Sequence, residues 1–145
     1  MNLRRIAPLI QMEKSIMQKQ VTVAFFARRF PREDWSMEIP EEKLTKFFDE
    51  LAAEFGPLGV QVERVDDPAV TMEIRGYGDL LNSVRIRSPK DGLGNLCLGH
   101  IIGQSANRDL FEDIHRGVSR VAFAPETVEP EGSDKIVCHN CGCGC

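Results

Sequence analysis

The chain has 145 residues, 42% of them hydrophobic and 28% charged, with a net charge of −4 at neutral pH. That length suits one domain with a core large enough to fold without disulfide staples, and the composition is that of an ordinary soluble globule, for which disorder is not the default. No run approaches the roughly 18 continuous apolar residues of a membrane span.

Charge is distributed unevenly. Residues 1–32 hold Arg4, Arg5, Lys14, Lys19, Arg28, Arg29 and Arg32 against one acid, Glu13, so the acidic excess lies downstream. Such an asymmetry can mark an arm for an acidic partner, but a solvated helix with its charges on the outer face is the preferred reading; no aromatic residues are interleaved for base stacking, and no nucleic-acid partner is expected. The apolar stretch after Arg4-Arg5, Ile6 to Ile10, is shorter than the about 7–15 residues of a secretory core. A cytoplasmic protein with no membrane partner is therefore expected, in a compartment that keeps thiols reduced.

The first element in chain order is a helical arm over residues 1–20, with Leu3, Ile6, Leu9, Ile10, Ile16 and Met17 in a spacing interrupted by Pro8. Val21 to Ala27 is β-branched and aromatic on both faces, the pattern of an interior strand. The clearest helix is Glu41 to Phe55. Its Leu44, Phe47, Phe48, Leu51, Ala52 and Phe55 form one stripe, Pro40 and two glutamates stand at its start, and Gly56-Pro57 follows it. Three alternating runs then read as strands: Val60 and Val62, then Val70, Met72 and Ile74, then Val84 and Ile86. Asp66-Asp67-Pro68 reads as the turn between the first two. The opposite face of these strands carries Glu63, Glu73, Arg75, Arg85 and Arg87 and is expected to be wet, a candidate docking surface.

Ser88 to Gln104 contains four glycines and reads as loop punctuation, because it has neither a GxGxxG register nor a Gly-Lys-Ser/Thr ending. A second helix is expected from Ser105 or Asn107 through Ile114, closing at Gly117, with a last strand over Val118 to Ala124. The order β-α-β-β-β-α-β predicts an α+β two-layer sandwich over 21–124, a ferredoxin-like split βαβ with an extra strand. A thioredoxin-like sheet is the alternative, although Arg28-Arg29-Phe30-Pro31, after the first strand, has no cysteine where that fold carries its redox pair.

Residues 125–135 are rich in proline, glycine, serine and acids and read as a solvated linker. They lead to a tail, residues 136–145, in which Cys138, Cys141, Cys143 and Cys145 are separated only by His139, Asn140 and glycines. The C-x-x-C spacing lets two sulfurs turn toward one ion, as in half of a tetrahedral zinc site. Glycine between the later cysteines lets the backbone wrap closely around it. Thiolates also suit Cu(I) and iron–sulfur centres, so the expected cofactor is a transition metal: zinc, Cu(I), nickel, cobalt or Fe–S. The expected ligands are the four cysteines with His139.

A structural staple normally ties distant segments, whereas this cluster is contiguous. An exchangeable metal is expected, on a metallochaperone or cofactor-assembly accessory whose partner is a metal-accepting enzyme. Thiol redox or sulfur-carrier chemistry is the alternative, though Lys135, the nearest base, stands among acids. Cys138 to Cys143 also resembles the C-x-x-C-x-C claw of nitrile hydratase α subunits, in which three sulfurs and two backbone amides hold iron or cobalt. The likeness spans six residues, with Gly142 where that family usually has serine, and implies a donor pattern without an activity. Cys-Gly repeats similarly end some ribosomal peptide precursors, which implies a tail that is itself modified.

In the body, Cys97 and His100 form a C-x-x-H pair that could join the site if the tail folds back, but a buried apolar cysteine between Leu96 and Leu98 is the preferred reading. His115 is expected near a helix C-terminus, where its charge suits the dipole. No nucleophile–base set or paired-carboxylate cleft indicates an enzyme.

Overall fold

The computed structural model describes residues 19–128. The expected arm over residues 1–20 lies outside them except for its last two residues, and the whole Cys-rich tail lies outside them. Strand β1 spans Lys19–Arg29, helix α1 Glu41–Phe55, strand β2 Val60–Glu73, helix α2 Tyr77–Ser83, strand β3 Val84–Ser88, strand β4 Leu93–Cys97, helix α3 Leu98–Ile102 and helix α4 Leu110–Phe123. The order in the sheet is β2-β1-β3-β4. β1 pairs parallel with β2 and antiparallel with β3, which pairs antiparallel with β4.

β1 is central and lacks alternation because both of its faces are covered. Val21, Val23 and Phe25 point to one side and Ala24 and Phe26 to the other, and all are buried. Helix α1 has the expected bounds. Its Leu44, Phe48, Leu51 and Phe55 are buried, and Phe48 meets Phe25 edge-on at 6.0 Å. Ala52 belongs to the same stripe but is exposed. Helix α4 lies beside α1 on this face: Phe111 stacks obliquely on Phe47 at 4.7 Å. A Cβ built on Gly117 would fall 2.5 Å from Leu98 Cδ1 and 2.9 Å from Ile86 Cδ1. The architecture is α+β, with helices layered on a four-stranded mixed sheet.

Four sequence expectations are corrected. The two runs on either side of Asp66-Asp67-Pro68 form one strand and not two. The register steps from Phe26/Asp67 to Ala27/Thr71, so Pro68, Ala69 and Val70 are looped out as a bulge. The local turn chemistry is present, since Asp67 Oδ1 accepts from the Ala69 N–H at 3.1 Å. The parallel partner holds the chain straight through it.

Second, the glycine-rich stretch contains a strand. β3 and β4 form a hairpin turned by Pro89–Asp91, with Gly92 at φ 73°, where a glycine is favoured. Third, the expected strand Val118–Ala124 is the second half of α4. Asp109 caps this helix by accepting from Phe111 N and Glu112 N. The helix runs through Gly117 because that residue marks a close approach to Leu98 and Ile86 and not a C-terminus. Fourth, the sheet is not the split ferredoxin-like arrangement, whose two parallel strands are separated by an inserted strand. Here the parallel strands are direct neighbours, and no strand follows the last helix among the described residues.

The start of the expected linker is also part of the body. Pro125–Thr127 is a 3-10 turn, Val128 is 5% exposed within the core cluster, and Arg120 donates to the Thr127 carbonyl and hydroxyl oxygens. Among the described residues no helix is long and apolar enough to cross a membrane.

Candidate functional site

Cys138, His139, Cys141, Cys143 and Cys145, the five expected metal ligands, lie outside the described residues. Cys97 and His100 are close, but in the manner of a helix cap: Cys97 is the N-cap of α3 and its Sγ accepts from the His100 backbone N–H at 3.3 Å. Cys97 is fully buried beside Leu96 and Leu98. Among the described residues no group of three His, Cys, Asp or Glu side chains is arranged to hold a metal.

His115 is not at a helix end. It sits within the first half of α4, where Nε2 lies 2.8 Å from Glu54 Oε2 and the ring is 5.7 Å from Phe55, so it joins α4 to α1.

The expected wet face is only partly wet. Glu63, Glu73 and Arg75 are exposed, but Arg85 is fully buried. Its Nε donates to the Asn82 carbonyl at 3.0 Å, a second nitrogen donates to the Asn82 side-chain oxygen, and the guanidinium stands 5.1 Å from the Phe26 ring centre. Arg87 donates to Asp67 Oδ2 at 2.9 Å and to Asn95 Oδ1 at 3.2 Å. That pair and the Ala69 N–H hold the Asp67 carboxyl below its ordinary range. A charge buried among full partners positions β3 against β4, so Arg85 leaves the candidate docking surface.

Two concave sites were not anticipated. The first, of about 380 Å³, opens where β1 leaves the sheet, between the bulge of β2 and the segment entering α1. Phe25, Phe26, Phe30 and Ile39 form its apolar wall, and Arg28, Arg64, Glu38, Asp66 and Asp67 its polar one. Arg64 is fully engaged, donating to Glu41 at 2.6 and 3.0 Å and to Asp66 at 3.3 and 3.4 Å.

Arg28 differs from Arg64. Its Nη1 is buried and has no hydrogen-bond partner among the described residues, while its guanidinium stands 5.7 Å from the Phe25 ring centre. Burial lowers its pKa, with Asp66 opposing and Arg64 reinforcing that shift. In the sequence this arginine was one of a basic cluster, and nothing local set it apart.

The second concavity, of about 490 Å³, is lined by Trp35, Tyr77, Gln104, Ser105, Arg32 and Arg108 with three glycines. The Tyr77 hydroxyl donates to Asp113 Oδ2 at 2.5 Å. Burial, and then this bond, push the phenol pKa well above its ordinary value. Asp113 is fully buried, with Arg116 Nη1 3.5 Å from its other oxygen. The sequence did carry a signal here. Asp113 occupies the buried stripe of α4, with Leu110, Ile114, Val118 and Val121, and a carboxylate in an apolar stripe needs a partner. Arg108, at φ 51°, is the non-glycine residue with a positive φ in the described chain.

Compared with protein-family models, curated proteins and solved structures, the chain matches none.

Proposed function

We propose that the chain is a small metal-binding protein, a metallochaperone or cofactor-assembly accessory, in which the C-terminal Cys138, Cys141, Cys143 and Cys145, assisted by His139, take up an exchangeable transition metal. One observation carries this reading: four thiols within eight residues, spaced only by His, Asn and Gly, which offer soft donors and little apolar surface for a core. Zinc, Cu(I), nickel, cobalt and an iron–sulfur centre are all compatible with that donor set. The receiving partner is a metal-accepting enzyme. Anaerobic purification of the full chain and of a chain ending at Lys135, followed by elemental analysis, tests the reading. Metal that follows residues 136–145 supports it, and equal, negligible metal in both chains removes it.

A second reading is favoured by the sheet. A parallel β1-α1-β2 unit followed by an antiparallel β3-β4 hairpin, in the order β2-β1-β3-β4, is how we read a thioredoxin-like domain. That resemblance supports thiol redox or sulfur transfer through the same tail cysteines. Residues 28–31, at the end of β1, still carry no cysteine, so such chemistry would have to come from the tail. Alkylation trapping across a series of redox poises separates the two readings, since thiols that never cycle exclude the redox one. A third possibility, a precursor with a modified tail, is tested by intact mass from the native host: an unmodified, uncleaved chain speaks against it.

A further inference from the structure

We infer that the concavity at the end of β1 is a binding site for an uncharged amide carbonyl carrying an apolar side chain, with the carbonyl oxygen received by the Arg28 guanidinium. Three independent features of the fold converge there. The cavity has the volume of a small-ligand site, above the roughly 300 Å³ at which such sites begin, and lies toward the carboxyl end of β1, beside the middle of its parallel partner β2. The bulge at Pro68, Ala69 and Val70 interrupts β2 beside it, a device that re-aims side chains next to binding sites. The buried Nη1 donor has no acceptor among the described residues, and a buried donor left unmatched costs about 1–3 kcal/mol.

The nature of the ligand follows from charge. The lining holds two guanidiniums, Arg28 and Arg64, against three carboxylates, Glu38, Asp66 and Asp67. Arg64 is consumed by Glu41 and Asp66, and Asp67 by Arg87. A phosphate or other multiply charged anion would meet a surplus of negative charge and is disfavoured. A bare cation would meet Arg28. An amide carbonyl gives the Arg28 guanidinium an acceptor without adding charge, and Phe25, Phe30 and Ile39 provide an apolar wall for the group attached to it. The donor and the aromatic wall are adjacent, as shown by the guanidinium lying over the Phe25 ring. Both free small amides and the main chain of a peptide offer this chemistry.

The full chain, labelled for NMR, is titrated with N-acetyl-leucinamide, with the capped tripeptide acetyl-Gly-Leu-Gly-amide, with N-acetyl-leucinate and with inorganic phosphate. Saturable shifts centred on Phe25, Arg28 and Phe30 are expected from the two neutral probes. At least tenfold tighter binding of the tripeptide assigns a peptide ligand, and equal binding assigns a free amide. Arg28→Met, which keeps the stem and removes the donor, should weaken the neutral probes about tenfold, equivalent to about 1.4 kcal/mol. Ile39→Trp, at the half-exposed rim, should block them without disturbing the fold. The inference is overturned by an absence of saturable shifts, by tighter binding of phosphate or leucinate than of the neutral probes, or by wild-type affinity in both variants.

Discussion

Replacing Tyr77 by Phe removes one oxygen and leaves the ring, so its effect reports mainly the bond to Asp113, with a smaller part from the contact with Ser105. That bond is 2.5 Å long, is made to a carboxylate, and lies where Tyr77 is 9% exposed and Asp113 fully buried. A hydrogen bond to a charged group is worth about 1.5–3 kcal/mol, and its loss also leaves a buried acceptor with less compensation. Arg116, 3.5 Å from the other oxygen and 42% exposed, cannot replace it. Tyr77→Phe should therefore destabilise the protein by about 2 kcal/mol at neutral pH in urea unfolding, with a fall in Tm of about 4–8 °C for a chain of this size.

The pH dependence follows from the same contact. Burial raises the Tyr77 pKa above its ordinary value of 10, so the folded state holds the phenolic proton after the unfolded state has released it. The contribution is complete below pH 10 and is lost on going upward, at about 1.4 kcal/mol per pH unit until the folded pKa is reached. Tyr77 is the only tyrosine in the sequence, so tyrosinate absorbance reports on it alone. A folded-state midpoint at or below 10, or a variant within about 0.5 kcal/mol of the parent, would refute the reasoning.

Gly117→Ala should lower stability by about 1–3 kcal/mol despite the better helix propensity of alanine, because the new methyl meets the buried Leu98 and Ile86 side chains; thermal unfolding measures it. Arg85→Met should cost at least about 2 kcal/mol, because the Asn82 carbonyl and side-chain oxygens lose a buried donor, and urea unfolding gives the value. Deleting residues 136–145 should abolish metal uptake measured by elemental analysis and shift the Tm of the body by no more than about 2 °C, roughly 0.5–1 kcal/mol. Lys19→Met should also destabilise, since its ammonium joins the Val121 and Ala122 carbonyls at the end of α4 to Asp91; a half-buried ion pair of this kind is worth about 1 kcal/mol, again read by urea unfolding.

Helix α1 was legible to the residue because its stripe, its acidic start and Gly56-Pro57 are all local and agree with one another. β1 was legible for a related reason: burial on both faces leaves a short continuous apolar run. The second half of α4 was not. Val118 to Ala124 has β-branched and apolar residues that suit either element, and only contact with Leu98 and Ile86 explains why Gly117 lies inside a helix. A glycine that ends a helix and one that admits a neighbour are the same letter. β4 was hidden because Leu96 and Cys97 are adjacent and both buried, which removes the alternation that marks a half-covered strand.

The candidate sites divide along the same line. The tail could be proposed from the sequence because its donor pattern is a matter of spacing within eight residues, which lie outside the described ones. The Arg28 concavity was invisible because its parts come from β1, the segment before α1 and the bulge of β2, about 40 residues apart. Asp66-Asp67-Pro68 illustrates the difference. Its local preference for a turn is real and is met by the Asp67 to Ala69 bond, but β1 supplies a ladder on either side that a reversal would forfeit. The compromise is a bulge of three residues, an odd number, which inverts the strand's alternation. The same compromise places the edge of β2 beside Arg28. What reads locally as a conflict between strand and turn becomes, once paired with β1, the wall of a pocket.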